Sequence, residues 1–133
     1  MAKLGVVLDD WIAENEVDAT GIQCWTSIQK NYGVNACTLM SMMSNSLLPS
    51  GCEVDVTGVL SMYALQLASG KPSALVDWNN NYGNDPDRCI LFHCGPMPAS
   101  LMEGKGQVTD HAILMNTIGA GKAYGCNQGR IKP

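Results

Sequence analysis

Leu4, Val7, Leu8, Trp11 and Ile12 recur at i, i+3, i+4, i+7 and i+8, the spacing of one face of a helix. Asp18 to Trp25 reads as a turn into a short buried strand. Thr26 or Ser27 then caps a short helix running through Gln29 to Tyr32, with Gly33 as its stop. A second short helix is expected over residues 38–43, ending near Asn45, and residues 47–51 read as a loop. The strongest helical pattern follows, with Val56, Val59, Leu60, Tyr63 and Leu67 on one face and Gly70 just past the end. Residues 73–76 are a strand candidate finished by Asp77, and the polar stretch 78–87 reads as a loop. Residues 89–92 are expected to form a buried strand finished by His93. A loop follows over 95–106, then strands over 108–115 and 122–126.

Helices alternating with short apolar strands predict an α/β domain over residues 1–133, its strands short and mostly parallel. The last residues, Gly129-Arg-Ile-Lys-Pro133, have neither a helix cap nor a polar tail, and the first helix has no strand before it. Both ends read as those of a chain cut between elements, that is, a fragment of a multi-domain protein.

Composition changes this picture modestly. Charged residues are only 15% of the chain, so part of the surface is expected to be covered by something else. A net charge of −4 without a basic stripe argues against nucleic acid or an anionic membrane as partner. The longest apolar stretch, residues 59–68, is too short to span a bilayer, and the N-terminus does not read as a signal peptide. Six cysteines without a CxxC pair are read as buried or half-buried free thiols in a reducing cytoplasm, in preference to a disulfide framework or a zinc ribbon.

Three residues suggest chemistry. Glu53, in Gly51-Cys-Glu-Val-Asp55, and Asp55 sit at the start of the strongest helix, where they equally well complement its dipole. Asp77 and His93 each follow an expected strand, and ligands of α/β sheets bind beyond the carboxyl ends of strands. Taken singly, Asp77 is also explained as a turn cap and His93 as a hydrogen-bonded interior imidazole. Together, two carboxylates and an imidazole suit a divalent ion such as Mn²⁺. His111 is assigned no role.

The motifs Gln23-Cys-Trp-Thr-Ser27, Cys52-Glu-Val-Asp-Val-Thr-Gly58, Leu65-Gln-Leu-Ala-Ser-Gly-Lys-Pro72, Leu75-Val-Asp-Trp-Asn-Asn80 and Phe92-His-Cys-Gly95 occur in the order found in the L-fucose/L-arabinose isomerase superfamily. The chain resembles its fucose isomerase-like branch over roughly residues 5–133. The resemblance implies a metal-dependent aldose–ketose isomerase that works through a cis-enediol. Glu53 and Asp77 would be metal ligands and the acid–base pair, and His93 a third ligand. Trp78, Asn79 and Asn80 would contact the sugar. Family members are several times longer, and their last metal-ligand His lies in a C-terminal region beyond the part resembled here. The expectation is therefore a fragment that turns over little sugar alone and associates as a homo-oligomer. The competing expectation is a binding or assembly domain that kept the fold and lost the chemistry.

Overall fold

The computed structural model describes residues 1–110 and 124–131. Four helices, α1 (Ala2–Glu14), α2 (Ser27–Tyr32), α3 (Cys37–Asn45) and α4 (Val56–Ser69), alternate with strands β1 (Thr20–Ile22) and β2 (Ser50–Cys52). Two further strand pairs follow, β3 (Asp77–Tyr82) with β4 (Asp85–Phe92), and β5 (Met102–Asp110) with β6 (Tyr124–Ile131). The fold is α/β, as expected. Among the described strands only β1 and β2 pair in parallel, however, and the other two pairs are antiparallel. Parallel pairing needs a long crossover. The segment holding α2 and α3 provides one between β1 and β2, whereas β3 and β4 are joined by two residues.

The core forms around this parallel pair. Cys24, Ala36, Cys37, Met40, Met43 and Cys52 make one buried cluster, against which Leu8 and Ile12 of α1 pack. Ser44 of α3 accepts the amide of Ser50 through its Oγ at 3.0 Å, and Thr20 donates its Oγ1 to Ser50 Oγ at 2.7 Å. These bonds stitch β1 and α3 to β2, and they turn the end of the expected loop 47–51 into a strand. Gly33 and Gly70 close α2 and α4 with φ of 65° and 64°, a left-handed conformation that glycine adopts without penalty.

Two helix faces differ from expectation. Val7 and Trp11 are exposed, so α1 packs through the narrower Leu8–Ile12 stripe. In α4 the buried residues are Val59, Met62 and Gln66, while Val56, Leu60 and Leu67 point outward. At 100° per residue the buried stripe lies roughly a quarter turn from the apolar one. Gln66 explains part of this, since its Nε2 donates to Leu47 O at 2.8 Å. Periodicity reports which face is apolar, not which face the rest of the chain covers.

The region after α4 departs most. Residues 73–76 are not a strand, and the expected loop 78–87 is instead a hairpin. Tyr82 pairs with Asp85 across Gly83 and Asn84, and Gly83 takes φ 59° for the turn. The strand expected over residues 89–92 starts earlier, at Asp85, and is exposed where burial was expected. The loop 95–106 contains a 3-10 turn, Ala99–Leu101, and the start of β5. Of the strand expected over 108–115, residues 108–110 belong to β5 and the rest lies outside the described residues, as does His111. No described helix is long and apolar enough to cross a membrane.

Candidate active site

Strands β1 and β2 run side by side with Ile22 opposite Cys52, so their carboxyl ends finish together. Cys24 lies two residues past β1, Cys52 is the last residue of β2, and Glu53 follows it. Glu53 and Val54 both take the left-handed conformation, at φ 60° and 56°. For a β-branched valine that is a genuine outlier, and such strain collects at functional sites. It is held in place by Val54 N donating to Ile22 O at 3.4 Å and Asp55 N to Cys52 O at 3.1 Å. The kink leaves the Glu53 side chain exposed at the end of the sheet.

Asp55 behaves differently from Glu53. It is the N-cap of α4, its Oδ1 accepting Gly58 N at 2.8 Å and Thr57 Oγ1 at 2.9 Å. The Gly58 amide, and then the Thr57 hydroxyl, hold its carboxyl below the ordinary range. The dipole role open to both carboxylates thus falls to Asp55 alone.

Asp77 and His93 meet through the hairpin. Asp77, the first residue of β3, pairs with Phe92, the last of β4, and His93 comes next. Asp77 is exposed and His93 half-buried. The pKa of His93 is raised, chiefly by the Cys94 sulfur, against its own burial, with the carboxylates of Asp77 and Glu53 adding to the rise. The backbone N–H of Cys94 donates to His93 Nδ1 at 2.8 Å, which puts the proton of the neutral ring on Nε2 and works against that rise. Glu53 and Asp77 thus each bear electrostatically on His93, although among the described residues the two carboxylates and the imidazole do not come close enough to form a metal-holding group. Trp78, Asn79 and Asn80 are exposed on β3. The register shifts between Trp78 and Asn80, leaving Asn79 as the extra residue of a bulge, a device that re-aims side chains.

Behind this polar rim lies a feature that the sequence reading missed. Cys24, Cys37, Cys52 and Cys94 are thiols outside any disulfide, gathered in one place. The Cys52 sulfur is 2.7 Å from that of Cys24 and 3.6 Å from that of Cys94. Cys37 packs in the same core cluster as Cys52, with Cys94 against it. Hydrogen bonds from Cys37 and Cys52, then His93, favour the Cys94 thiolate, while those to Cys24, Cys37 and Cys94 keep the proton on Cys52. Cys52, His93 and Cys94 form a group that could hold a metal ion, with donor atoms all within 4.8 Å of one another. The expectation of buried or half-buried thiols holds for these four, but Cys89 is exposed. Their convergence had a trace in the sequence, since three of the four stand at or within two residues of a strand's carboxyl end. A cavity of about 300 Å³ between α1 and α3, lined by Gly5, Leu8, Leu39 and Met43 among others, takes in none of these groups.

No family model and no solved structure matches the chain. Curated relatives do. A sulfoquinovose isomerase of Clostridium sp. (strain MSTE9) is 30% identical over 118 residues, covering 89% of this chain and 26% of the relative. A protein of the same name from Alkalicoccus urumqiensis is 31% identical over 102 residues, 75% of this chain and 23% of the relative. Another, from Priestia megaterium (strain ATCC 12872 / QMB1551), is 24% identical over 131 residues, 98% of this chain and 29% of the relative. The chain spans about a quarter of the length of these relatives, and over most of its own length it is similar to sugar isomerases.

Proposed function

We propose that this chain supplies the carboxylate part of a metal-dependent aldose–ketose isomerase of the L-fucose/L-arabinose isomerase type, acting on a sugar. The observation that supports the reading is that the carboxylates of Glu53, just past the parallel pair, and Asp77, on the hairpin, both bear electrostatically on His93. The similarity to sugar isomerases supports it independently.

The donor chemistry fits the ion. Two exposed carboxylates and one imidazole are a hard, oxygen-rich set of the kind that suits Mn²⁺. Glu53, Asp77 and His93 would hold it. When bound, it supplies positive charge that stabilises negative charge developing on the sugar's oxygens. The chain's own residues do the rest. One carboxylate of the Glu53–Asp77 pair takes the proton from C2 of the aldose, and an acid returns a proton to C1, through a cis-enediol. The pair can divide these roles if its surroundings set the two pKa values apart. Trp78 offers a ring face to the sugar, and Asn79 and Asn80 offer amides to its hydroxyls.

Because the chain covers about a quarter of its relatives, little turnover is expected from these 133 residues alone. A cytoplasmic setting is supported by the free thiols. Association into a homo-oligomer is supported by the exposed apolar residues of α4 and the β3–β4 hairpin, which would also serve a purely assembling domain. Calorimetric titration with Mn²⁺ tests the reading. Wild-type chain should bind weakly, and Glu53→Gln should lose about 10–100-fold or more in affinity. Equal binding by both, or none by either, contradicts it.

A further inference from the structure

The cysteines behind the carboxylates have no part in the isomerisation derived above. They are nonetheless organised. Cys52 is fully buried, Cys37 nearly so, and Cys94 half-buried on the side of His93. They come from three separate elements: α3, the end of β2 and the segment after β4. Burial alone does not require two separate elements to bring the Cys52 and Cys94 sulfurs to 3.6 Å with an imidazole beside them.

We propose that Cys52 and Cys94, with the imidazole of His93 as third donor, form a second metal site, selective for a thiophilic d¹⁰ cation such as Zn²⁺. Two thiolates and one imidazole are a known three-ligand zinc set that keeps its fourth position open. A tetrahedral zinc with bonds of about 2.3 Å holds its sulfurs roughly 3.8 Å apart. The Cys52 and Cys94 sulfurs stand 3.6 Å apart, and the imidazole joins them within 4.8 Å, so closing around an ion needs the sulfurs to part slightly and the imidazole to move in. Cys24 is not a ligand. Its sulfur is 2.7 Å from Cys52, nearer than two tetrahedral ligands sit.

Softness separates this site from the rim. Sulfur favours zinc-like ions, while carboxylates favour manganese-like ones. The two sites share His93 alone. Filling the inner site therefore withdraws His93 from the outer one, and Zn²⁺ should compete with Mn²⁺ without touching Glu53 or Asp77. The inner site stands on its own geometry and does not depend on the isomerase reading.

The test uses the reduced 133-residue chain and Cd²⁺ as a spectroscopic stand-in for zinc, read by the ultraviolet absorption of cadmium–thiolate bonds. One ion per chain should bind with that signature. Cys52→Ser and Cys94→Ser should each weaken it by about 100-fold or more. Cys89→Ser, at an exposed thiol on β4, should leave it unchanged. Glu53→Gln should keep the cadmium signal whether or not it loses Mn²⁺, so failure of either reading is seen separately. Should the serine variants not fold, Co²⁺ added to the wild-type chain decides. Intense tetrahedral bands with sulfur charge transfer are expected. No thiolate signature with either ion, or one abolished by Cys89→Ser and kept by Cys94→Ser, overturns the proposal.

Discussion

All three residues of β2 are buried, whereas every residue of β3 is exposed, as are all but the first of β4. Yet the carboxylates of Glu53, just past β2, and of Asp77, at the base of the hairpin, both act on the His93 imidazole. The parallel pair is fixed by the core, with Met40 and Cys52 fully buried beside it. The hairpin carries Trp78, Ile90, Leu91 and Phe92 in the open. One half of the candidate site is therefore built by burial and the other by ladder pairing alone. A site made this way should tolerate change in the hairpin's side chains and be intolerant behind β2.

Substitutions can break that contrast. The largest effect is expected from Met40→Ala, which empties a fully buried position and should cost about 2–5 kcal/mol in denaturant unfolding. Gly51→Ala comes next. A Cβ there would run into Val59 Cγ2 of α4, and overpacking of this kind costs about 1–3 kcal/mol. Leu91→Ala, by contrast, should change stability by no more than about 0.5 kcal/mol, because the side chain is half-exposed on the hairpin. An effect at Leu91 equal to that at Met40 would mean that the hairpin is covered in solution.

A smaller, pH-dependent effect belongs to the Asp55 cap. Its carboxyl is held below the ordinary range in the folded chain, so its contribution is present above the unfolded value of about 3.9 and disappears as pH falls through the folded one. Thermal melting should therefore show Asp55→Asn slightly less stable at neutral pH and level with wild type in strong acid. A constant gap across that range would remove Asp55 as an ionised cap.

The same contrast explains what was legible in the sequence. Gly33 and Gly70 announced the ends of α2 and α4 because a left-handed cap is a local requirement. Cys24, Cys37 and Cys52 were recognisable as interior residues. The hairpin was hidden because Asn79, Asn80 and Asn81 read as loop chemistry. Cross-strand pairing from Asp77↔Phe92 to Tyr82↔Asp85 overrides that propensity without burying either face. The outward Val56–Leu60–Leu67 stripe of α4 misled for the opposite reason, since an apolar face declares a need for cover and not where the cover is. Glu53, Asp77 and His93 could be picked out because each follows or begins an element. The thiol cluster left only a partial trace, because Cys37 joins the others through tertiary packing alone.

The most direct test of the account is a Mn²⁺ titration followed by electron paramagnetic resonance, comparing wild type with one substitution in each half. Asp77→Asn should release Mn²⁺ to the free-ion spectrum, losing about 10–100-fold or more in affinity, while Cys94→Ser should bind it as wild type does. Unaltered binding in Asp77→Asn, or loss of Mn²⁺ in Cys94→Ser with Asp77→Asn intact, would contradict the assignment of the hard ion to the carboxylate rim.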